Sequence, residues 1–182
     1  TFGYEVPEAE AKRIISVYRE TYPFIGDLWQ AANRCIKEMH SGNLFRFGRS
    51  GVLDVNVSSR AIVLPSQLEM SYTDLDATTE GGRTEYHYKT RQGRTRIYGG
   101  KVVENVCQAI ARCIIGHQML QIAKKYRVVL TVHDSIVCCV PNQLAAEARE
   151  YIESCMRTTP DWAAGLPIDC ESGIGKSYGD CE

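Results

Sequence analysis

The segment at residues 127–141 reads RVVLTVHDSIVCCVP, and the rest of the chain is interpreted outward from it. Two apolar, β-branched runs, at residues 128–132 and 136–140, flank the polar turn His133-Asp134-Ser135. Apolar runs of this length, bounded by turn residues, predict the two strands of a tight antiparallel hairpin. Because the apolarity is continuous rather than alternating, we expect both faces of the hairpin to be covered, which makes it a central element of the fold.

The turn of this hairpin carries an imidazole and a carboxylate where Asn-Gly or Asp-Gly is the usual choice. A carboxylate at the tip of a rigid hairpin is well placed to bind a divalent metal ion, since hard cations take oxygen ligands. Asp is also common in turns for purely local reasons. From the turn alone, Asp134 is therefore either a metal ligand or a turn former.

Composition sets broad limits on the class of protein. The 182 residues suffice for a buried core, and 44 % hydrophobic with 24 % charged residues is typical of a globular domain or a large part of one. The net charge of −1 gives no global argument for nucleic acid. No apolar run has the length of a membrane span, so no membrane partner is expected. Because the chain begins at Thr1 without Met, we expect a processed product, a fragment or the ordered part of a longer protein.

The eight cysteines form no CxxC pair and no zinc-finger spacing. Most of them lie on predicted apolar faces or in the hairpin, where cysteine behaves as a small hydrophobic side chain. We therefore predict reduced core thiols in a cytosolic setting.

Helices are predicted at both ends of the chain. Pro7-Glu8 favours a helix start, Pro23 should restart the helix, and Ser41-Gly42-Asn43 should end it, with the apolar faces of both parts packed in the core. After the hairpin, Asn142 is predicted to cap a helix that ends near Arg157. A last strand is predicted at residues 166–170. The closing GIGKSYG lacks the spacing of a phosphate-binding loop.

Short strands and loops are predicted between residues 44 and 98. The strand predictions are residues 44–47, 52–57, 61–64, 68–72 and 84–89, and residues 73–82 are predicted to be an exposed loop. Within residues 83–101, Glu85 is the one acidic residue, and Tyr86, Tyr88 and Tyr98 are interleaved with six basic residues: Arg83, Lys89, Arg91, Arg94, Arg96 and Lys101. Such a stretch indicates either a nucleic-acid face or a solvated strand edge.

A long helix is predicted from Lys101 to Lys124. Glu104, Gln108 and Arg112 recur on one side at about one turn, and Asn105 lies less clearly on it. Amide and guanidinium groups in such a row could contact the minor groove and backbone of a duplex, although an ordinary polar helix face has the same pattern.

Four segments, in this order and spacing, together resemble the C-terminal part of family A DNA polymerases, in particular the phage-encoded ones. They are VPEAEAKRIISVYRETYPFI (residues 6–25), YGGKVVENVCQAIARCI (98–114), VHDSIV (132–137) and WAAGLPIDCESGIGKSYG (162–179). In that family they correspond to the fingers-to-palm helix, the helix on the primer–template duplex, the motif C hairpin and the terminal strand. We accordingly predict an α+β fold, an antiparallel palm sheet with a central catalytic hairpin packed against long helices. Residues 1–42 would form the fingers-to-palm segment and residues 43–182 the palm portion.

The resemblance implies a two-metal phosphoryl-transfer site for dNTPs, in which two aspartates bridge two Mg²⁺ ions. Asp134 matches the second aspartate, and His133 matches the residue at the primer terminus. Gln108 matches one of the family's amide residues that contact the duplex. Asn105 matches another, with a register that is ambiguous by one residue. Three basic residues would contact the backbone phosphates of the primer–template DNA, a role that rests on charge rather than on the motif: Lys101, Arg94 and Arg96. Arg112, in the polar row of the helix, would also contact the duplex.

The sequence departs from the family pattern in two ways. Ser135 stands where family A DNA polymerases usually carry Glu, and HDS also resembles motif C of single-subunit phage-type RNA polymerases. The strand with the first catalytic aspartate and the nucleotide-binding helix do not occur in the chain.

One aspartate cannot hold two Mg²⁺ ions beside a triphosphate, so the chain alone should not polymerise. It would act with the upstream part of the same polymerase, covalent or split, in the host cytoplasm if phage-encoded. A non-catalytic duplex-binding module and an RNA polymerase fragment remain alternatives.

Overall fold

The computed structural model describes residues 6–48, 53–56 and 59–181, and it has the mixed α+β architecture that the sequence predicts. Small antiparallel sheets alternate with four α-helices. The chain divides into two compact units, Thr1–Cys107 and Gln108–Glu182. The functional division after residue 42 stays a prediction.

The first unit begins with the two predicted helices, α1 (Glu8–Thr21) and α2 (Pro23–Ser41). Pro23 occupies the first turn of α2, which is the position where its missing N–H matters least. Gly42 ends α2 in the left-handed conformation, with φ of 79°, as is common for a glycine after a helix. The predicted start, restart and end of the helical segment are therefore confirmed.

The two helices differ in burial. The inner face of α2 is buried through four residues: Ala32, Cys35, Ile36 and Met39. In contrast, α1 has no buried residue, and Ile14 and Tyr18 are 51 % and 41 % exposed. The prediction that both apolar faces pack in the core is wrong for α1, because helical spacing shows which side is apolar but not whether another element covers it.

Four short strands form the first sheet, in the order β1-β2-β3-β4. They are β1 (Arg46–Phe47), β2 (Leu53–Asn56), β3 (Ala61–Val63) and β4 (Glu69–Ser71), all antiparallel to their neighbours. Leu53, Val55, Ala61 and Ile62 are buried, so this sheet contributes to the core of the unit together with α2. The ends of the predicted strand at residues 52 and 57 lie outside the described residues.

A second sheet, of three strands, has the order β5-β6-β7. It consists of β5 (Asp76–Glu80), β6 (Arg83–Thr90) and β7 (Gly93–Ile97). The predicted loop at residues 73–82 is wrong, because β5 pairs with β6 through a turn at Gly81-Gly82, whose φ values are 56° and 77°. Two-residue turns with positive φ match the twist of a hairpin, and the Gly-Gly pair was the signal for this one.

The second unit contains the hairpin and its supporting helices. Helix α3 (Gly99–Ile122) runs into it and is followed by β8 (Val128–Val132), β9 (Ser135–Cys138) and α4 (Ala145–Met156). Its buried cluster comprises Ile122, Tyr126, Ala148 and Cys155, with Val128, Ile136 and Cys138 packed against it.

The hairpin itself is confirmed, but its predicted central position is wrong within the described residues. The strands β8 and β9 pair only with each other there, with an irregularity between Val128 and Leu130. Val129 and Leu130 are 50 % and 45 % exposed. A continuous apolar run therefore does not show that both faces of a strand are buried, since β-branched residues also fit the pleated surface of a half-buried strand.

Two predictions near the C-terminus are also wrong. Asn142 begins a short 3₁₀ turn, Asn142–Leu144, and gives no side-chain cap to α4, which starts at Ala145. Residues 166–170 form no strand in the described structure. A segment forms a strand only where a neighbouring strand offers a free edge. Residues 166–170 are held by polar contacts with α4 and the residue that follows it instead.

Those contacts converge on Glu153 of α4. Its carboxylate accepts hydrogen bonds from Arg149 (2.9 Å), from Arg157 (3.2 Å) and from the Ser172 hydroxyl. Arg157 also donates to Asp169 at 2.7 Å. The hydrogen bonds from Ser172, Arg149 and Arg157 lower the pKa of Glu153 to about 2. The network therefore joins the C-terminal segment to α4 through an ionised carboxylate.

Replacing Glu153 with glutamine should remove a pH-dependent part of this attachment. The folded-state pKa lies below the ordinary value of about 4.3, so the charged contacts are complete above that pH and are lost as the pH falls toward about 2. Denaturant unfolding measured at several pH values should show a stability difference between wild type and Glu153→Gln that shrinks on acidification. Glu150→Gln, which changes an exposed neighbour on α4, is the matched control. A Glu153→Gln difference that is constant with pH would contradict the assignment.

All eight cysteines are free, but only Cys35 and Cys155 are buried. Burial raises the pKa of the Cys35 thiol to about 12, which makes it unreactive at neutral pH. Cys107 and Cys139 are exposed, so the prediction of core positions is wrong for these two. Among the described residues, no helix combines the length and the apolarity that crossing a membrane requires.

Candidate active site and nucleic-acid interface

The tip of the β8–β9 hairpin is a two-residue turn. Val132 and Ser135 pair as the last residues of the strands, which leaves His133 and Asp134 as the turn. His133 has a φ of 52°, in the left-handed region that is uncommon for residues other than glycine, although histidine is enriched there. Residues held in this conformation occur often at functional sites, so the backbone of His133 supports a functional hypothesis for the tip.

Asp134 is exposed, and within the described part of the chain its carboxylate has no hydrogen-bond or ion-pair partner. It is therefore free to bind a cation. The same residues contain no group of three His, Cys, Asp or Glu side chains close enough to hold a metal ion. Mg²⁺ commonly binds through one or two carboxylates together with substrate phosphates and water. Asp134 thus fits one ligand position of such a site, and the described residues do not bring two further His, Cys, Asp or Glu side chains to it.

The residues of the row predicted on α3 differ in exposure. Glu104, Gln108 and Arg112 are exposed, as a duplex contact requires. Asn105 differs, since it is half-buried and its amide donates to the Tyr72 hydroxyl at 3.4 Å. Burial is the main reason that the pKa of Tyr72 is raised to about 12. Asn105 therefore has a partner inside the first unit, and a duplex contact made while this hydrogen bond is kept would use its second amide N–H or its Oδ1 atom.

The basic stretch at residues 83–101 is not the nearly unopposed positive surface that its sequence indicates. Most of its cations have carboxylate partners, which are Arg83–Glu85 (3.9 Å), Lys89–Asp74 (3.8 Å), Arg94–Asp76 (2.8 Å), Arg96–Glu85 (2.8 Å) and Lys101–Glu104 (2.8 Å). Hydrogen bonds from the Ala77 backbone and from Arg94 lower the pKa of Asp76. Counting charges along the sequence missed three of these acids, because Asp76 lies on β5, Asp74 just before it and Glu104 on the next turn of α3, while Glu85, within the stretch, pairs with two arginines.

The structure also reveals a contact that sequence reasoning missed. Asn33 of α2 accepts a hydrogen bond from the backbone N–H of Gly99, the first residue of α3, at 2.6 Å. The adjacent glycines, Gly99 and Gly100, were the only sequence signal, since a glycine pair at a helix start indicates a close backbone approach.

Comparison with known proteins confirms the resemblance to a phage DNA polymerase. The chain is 28 % identical over 184 residues to the DNA polymerase of Bacillus phage SP02, and the match covers 94 % of this chain. The chain spans 28 % of the length of that relative. No protein-family model matches the chain, and no solved structure matches it.

Proposed function

We propose that this chain is the C-terminal palm portion of a family A DNA-directed DNA polymerase. The observation that carries the proposal is the exposed carboxylate of Asp134 at the hairpin tip, which has no hydrogen-bond or ion-pair partner among the described residues. The chain that carries it is similar over 94 % of its length to part of a phage DNA polymerase. The reaction would be template-directed nucleotidyl transfer, with primer–template DNA and dNTPs as substrates.

Asp134 would be one of the two carboxylates of a two-metal site. Two Mg²⁺ ions, when bound, would supply Lewis-acid stabilisation of the triphosphate charge and a more acidic primer 3′-hydroxyl. The other carboxylate would come from the upstream part of the polymerase, covalently joined or as a separate subunit. Ser135 cannot add a third charge to the site, so the metal affinity of this tip would depend on Asp134 alone.

The exposed polar side chains near the tip and along α3 would position the DNA. His133 would contact the primer terminus, since it is the turn residue next to Asp134 and matches the family's residue at that place. Gln108 and Arg112 would contact the duplex from the exposed side of α3. Lys101, Arg94 and Arg96 would contact backbone phosphates. A phage protein of this kind would work in the cytoplasm of the host cell.

Two alternatives keep specific support. The lack of a three-residue ligand group in the described residues favours a non-catalytic duplex-binding module. The HDS sequence of the tip favours a single-subunit RNA polymerase. Both would retain the DNA contacts of α3, so nucleotide incorporation is the property that separates them from a DNA polymerase.

Primer extension by the full-length protein that carries this chain tests the proposal. A labelled DNA primer–template with Mg²⁺ is incubated with dNTPs in one reaction and rNTPs in another, and duplex binding is measured in parallel. We expect extension with dNTPs only. Extension with rNTPs would favour the RNA polymerase, and duplex binding without any extension would favour the non-catalytic module.

The ion pairs of the β5–β7 sheet lead to a further prediction for DNA affinity. If Arg94 contacts a phosphate, it must leave Asp76, and an exposed ion pair of this kind stabilises only weakly. Asp76→Asn should therefore raise the affinity for primer–template by no more than about fivefold, whereas Arg94→Ala should lower it and reduce its salt dependence.

Fluorescence anisotropy titrations at two salt concentrations measure both effects. Glu8→Gln is the matched control, since Glu8 forms a comparable exposed pair with Lys12 on α1. Unchanged affinity in both Asp76→Asn and Arg94→Ala would exclude this sheet as a DNA contact.

A further inference from the structure

We propose that Asn33 is a positioning residue that fixes the first turn of α3 for DNA binding, a role that rests on the proposed function. Asn33 does not contact DNA in this proposal. It acts through the backbone of Gly99 and thereby sets the location of Lys101, which lies two residues further along the same turn.

The hydrogen bond to Gly99 replaces an ordinary helix cap. The first N–H groups of an α-helix have no partner within the helix, and the residue just before it usually supplies one from its side chain. At α3 the Asn33 Oδ1 atom accepts from the Gly99 N–H at 2.6 Å, although Asn33 lies 66 positions earlier in the sequence. Gly99 is buried, so water does not readily replace this acceptor. The start of α3 is therefore fixed by α2 rather than by its own preceding residue.

The packing around Gly99 shows that this position is closely defined. A Cβ atom at residue 99 would lie 2.0 Å from the carbonyl oxygen of Trp29 and 3.0 Å from Asn33 Oδ1. Trp29 and Asn33 are one turn apart on α2, so the same face of that helix contacts Gly99 at two points. A Cβ atom at Gly100 would lie 3.3 Å from the Tyr98 ring. Only glycine at residue 99 allows the backbone to approach α2 so closely.

The fixed turn determines where the first proposed DNA contact lies. Lys101 Nζ pairs with Glu104 at 2.8 Å, on the first turns of α3. One turn along, Asn105 contacts the Tyr72 hydroxyl. If the Gly99 N–H lost its acceptor, the first turn of α3 would shift until this N–H found another one, and Lys101 would shift with that turn. Small displacements of a positioned group have large effects on binding, so the loss should appear as weaker DNA binding.

Primer-extension kinetics on the full-length protein test this role with Asn33→Ala and Asn33→Asp. Alanine is a strong helix former at this exposed position of α2, so the helix itself should be preserved. Aspartate keeps an acceptor at the same distance and is a good capping residue. We expect Asn33→Ala to raise KM for primer–template by about fivefold to tenfold with kcat within about twofold of wild type, and Asn33→Asp to restore KM. A fall in kcat with unchanged KM would indicate a loss of folded enzyme and would overturn the proposal.

A double-mutant cycle with Lys101→Ala separates this role from general stability. Because Asn33 is proposed to act through Lys101, Asn33→Ala should have little additional effect on KM in the Lys101→Ala background. If the KM of the double mutant were raised by the product of the two single-variant factors, the positioning role would be overturned. If Lys101→Ala alone left KM unchanged, the proposed phosphate contact would fail, and this result is distinguishable from a failure of Asn33.

Discussion

Substitution of Gly99 with alanine is expected to lower the free energy of unfolding by about 1–3 kcal/mol, the usual range for a side chain forced into a packed site. The added Cβ atom would lie 2.0 Å from the Trp29 carbonyl oxygen, which is a backbone atom and cannot rotate away. Either α2 or the start of α3 must then shift, and the hydrogen bond from Gly99 to Asn33 would be lost with that shift. Chemical denaturation of the chain, followed by circular dichroism, measures the effect.

The matched control is Gly116→Ala in the same helix. Gly116 lies in the interior of α3 with no atom within 4 Å of an added Cβ, so alanine should raise the free energy of unfolding by about 0.5–1 kcal/mol through its better helix propensity. The two glycines therefore predict effects of opposite sign. If Gly99→Ala stabilised the protein as Gly116→Ala does, the close approach of α2 to α3 would be wrong.

Substitution of Asp134 with alanine in the full-length protein should reduce primer extension by about 10³-fold or more. Removing one preorganised partner of a charged transition state commonly lowers rates by about 10²–10³-fold, and a carboxylate without a neighbouring substitute should lie at the upper end. Within the described residues Asp134 belongs to no group of three His, Cys, Asp or Glu side chains that could hold a metal ion. Single-turnover incorporation of one dNTP at saturating primer–template measures the chemical step.

The same variant should keep its affinity for the duplex, because the proposed phosphate contacts come from α3 and the β5–β7 sheet. Asp27→Asn, at an exposed position of α2, is the control for the loss of a surface carboxylate. Incorporation by Asp134→Ala at the wild-type rate would exclude the catalytic role. Loss of duplex affinity together with incorporation would instead show that the substitution disturbs the fold.

The elements that the sequence predicted well are those with explicit local signals. Pro7, Pro23 and Gly42 define α1 and α2, because proline and glycine restrict the backbone at helix ends whatever surrounds them. The hairpin was predicted from two β-branched runs around a polar turn. These signals depend on the residues themselves, so they could be recognised from one sequence.

Features that depend on partners could not be predicted in this way. The exposure of α1 and of Val129 on β8 depends on what covers an apolar face, which spacing does not encode. The ion pairs of Arg94 and Arg96 depend on strand register, which brings Asp76 and Glu85 beside them. Strand β5 is polar except for Ala77, so its only signal was the Gly-Gly turn that follows it.

The candidate site shows the same division. His133, Asp134 and Gln108 could be identified from motifs, and the structure leaves all three exposed. The left-handed conformation of His133 and the contact between Asn33 and Gly99 required three-dimensional geometry. A residue that positions another element from 66 positions away gives no local pattern in a single sequence.

The central claim is that the carboxylate of Asp134 binds a catalytic metal ion, and metal-directed cleavage of the backbone tests it without relying on polymerase activity. Fe²⁺ replaces Mg²⁺ in the full-length protein with primer–template, and ascorbate with peroxide then produces hydroxyl radicals at the bound ion. The cleavage sites are read by mass spectrometry. We expect cleavage close to residues 133–135 in the wild type and its loss in Asp134→Ala, while Asp27→Asn is cut as the wild type is. Cleavage that is absent from this turn, or that persists there in Asp134→Ala, would contradict the metal-binding role of the hairpin tip.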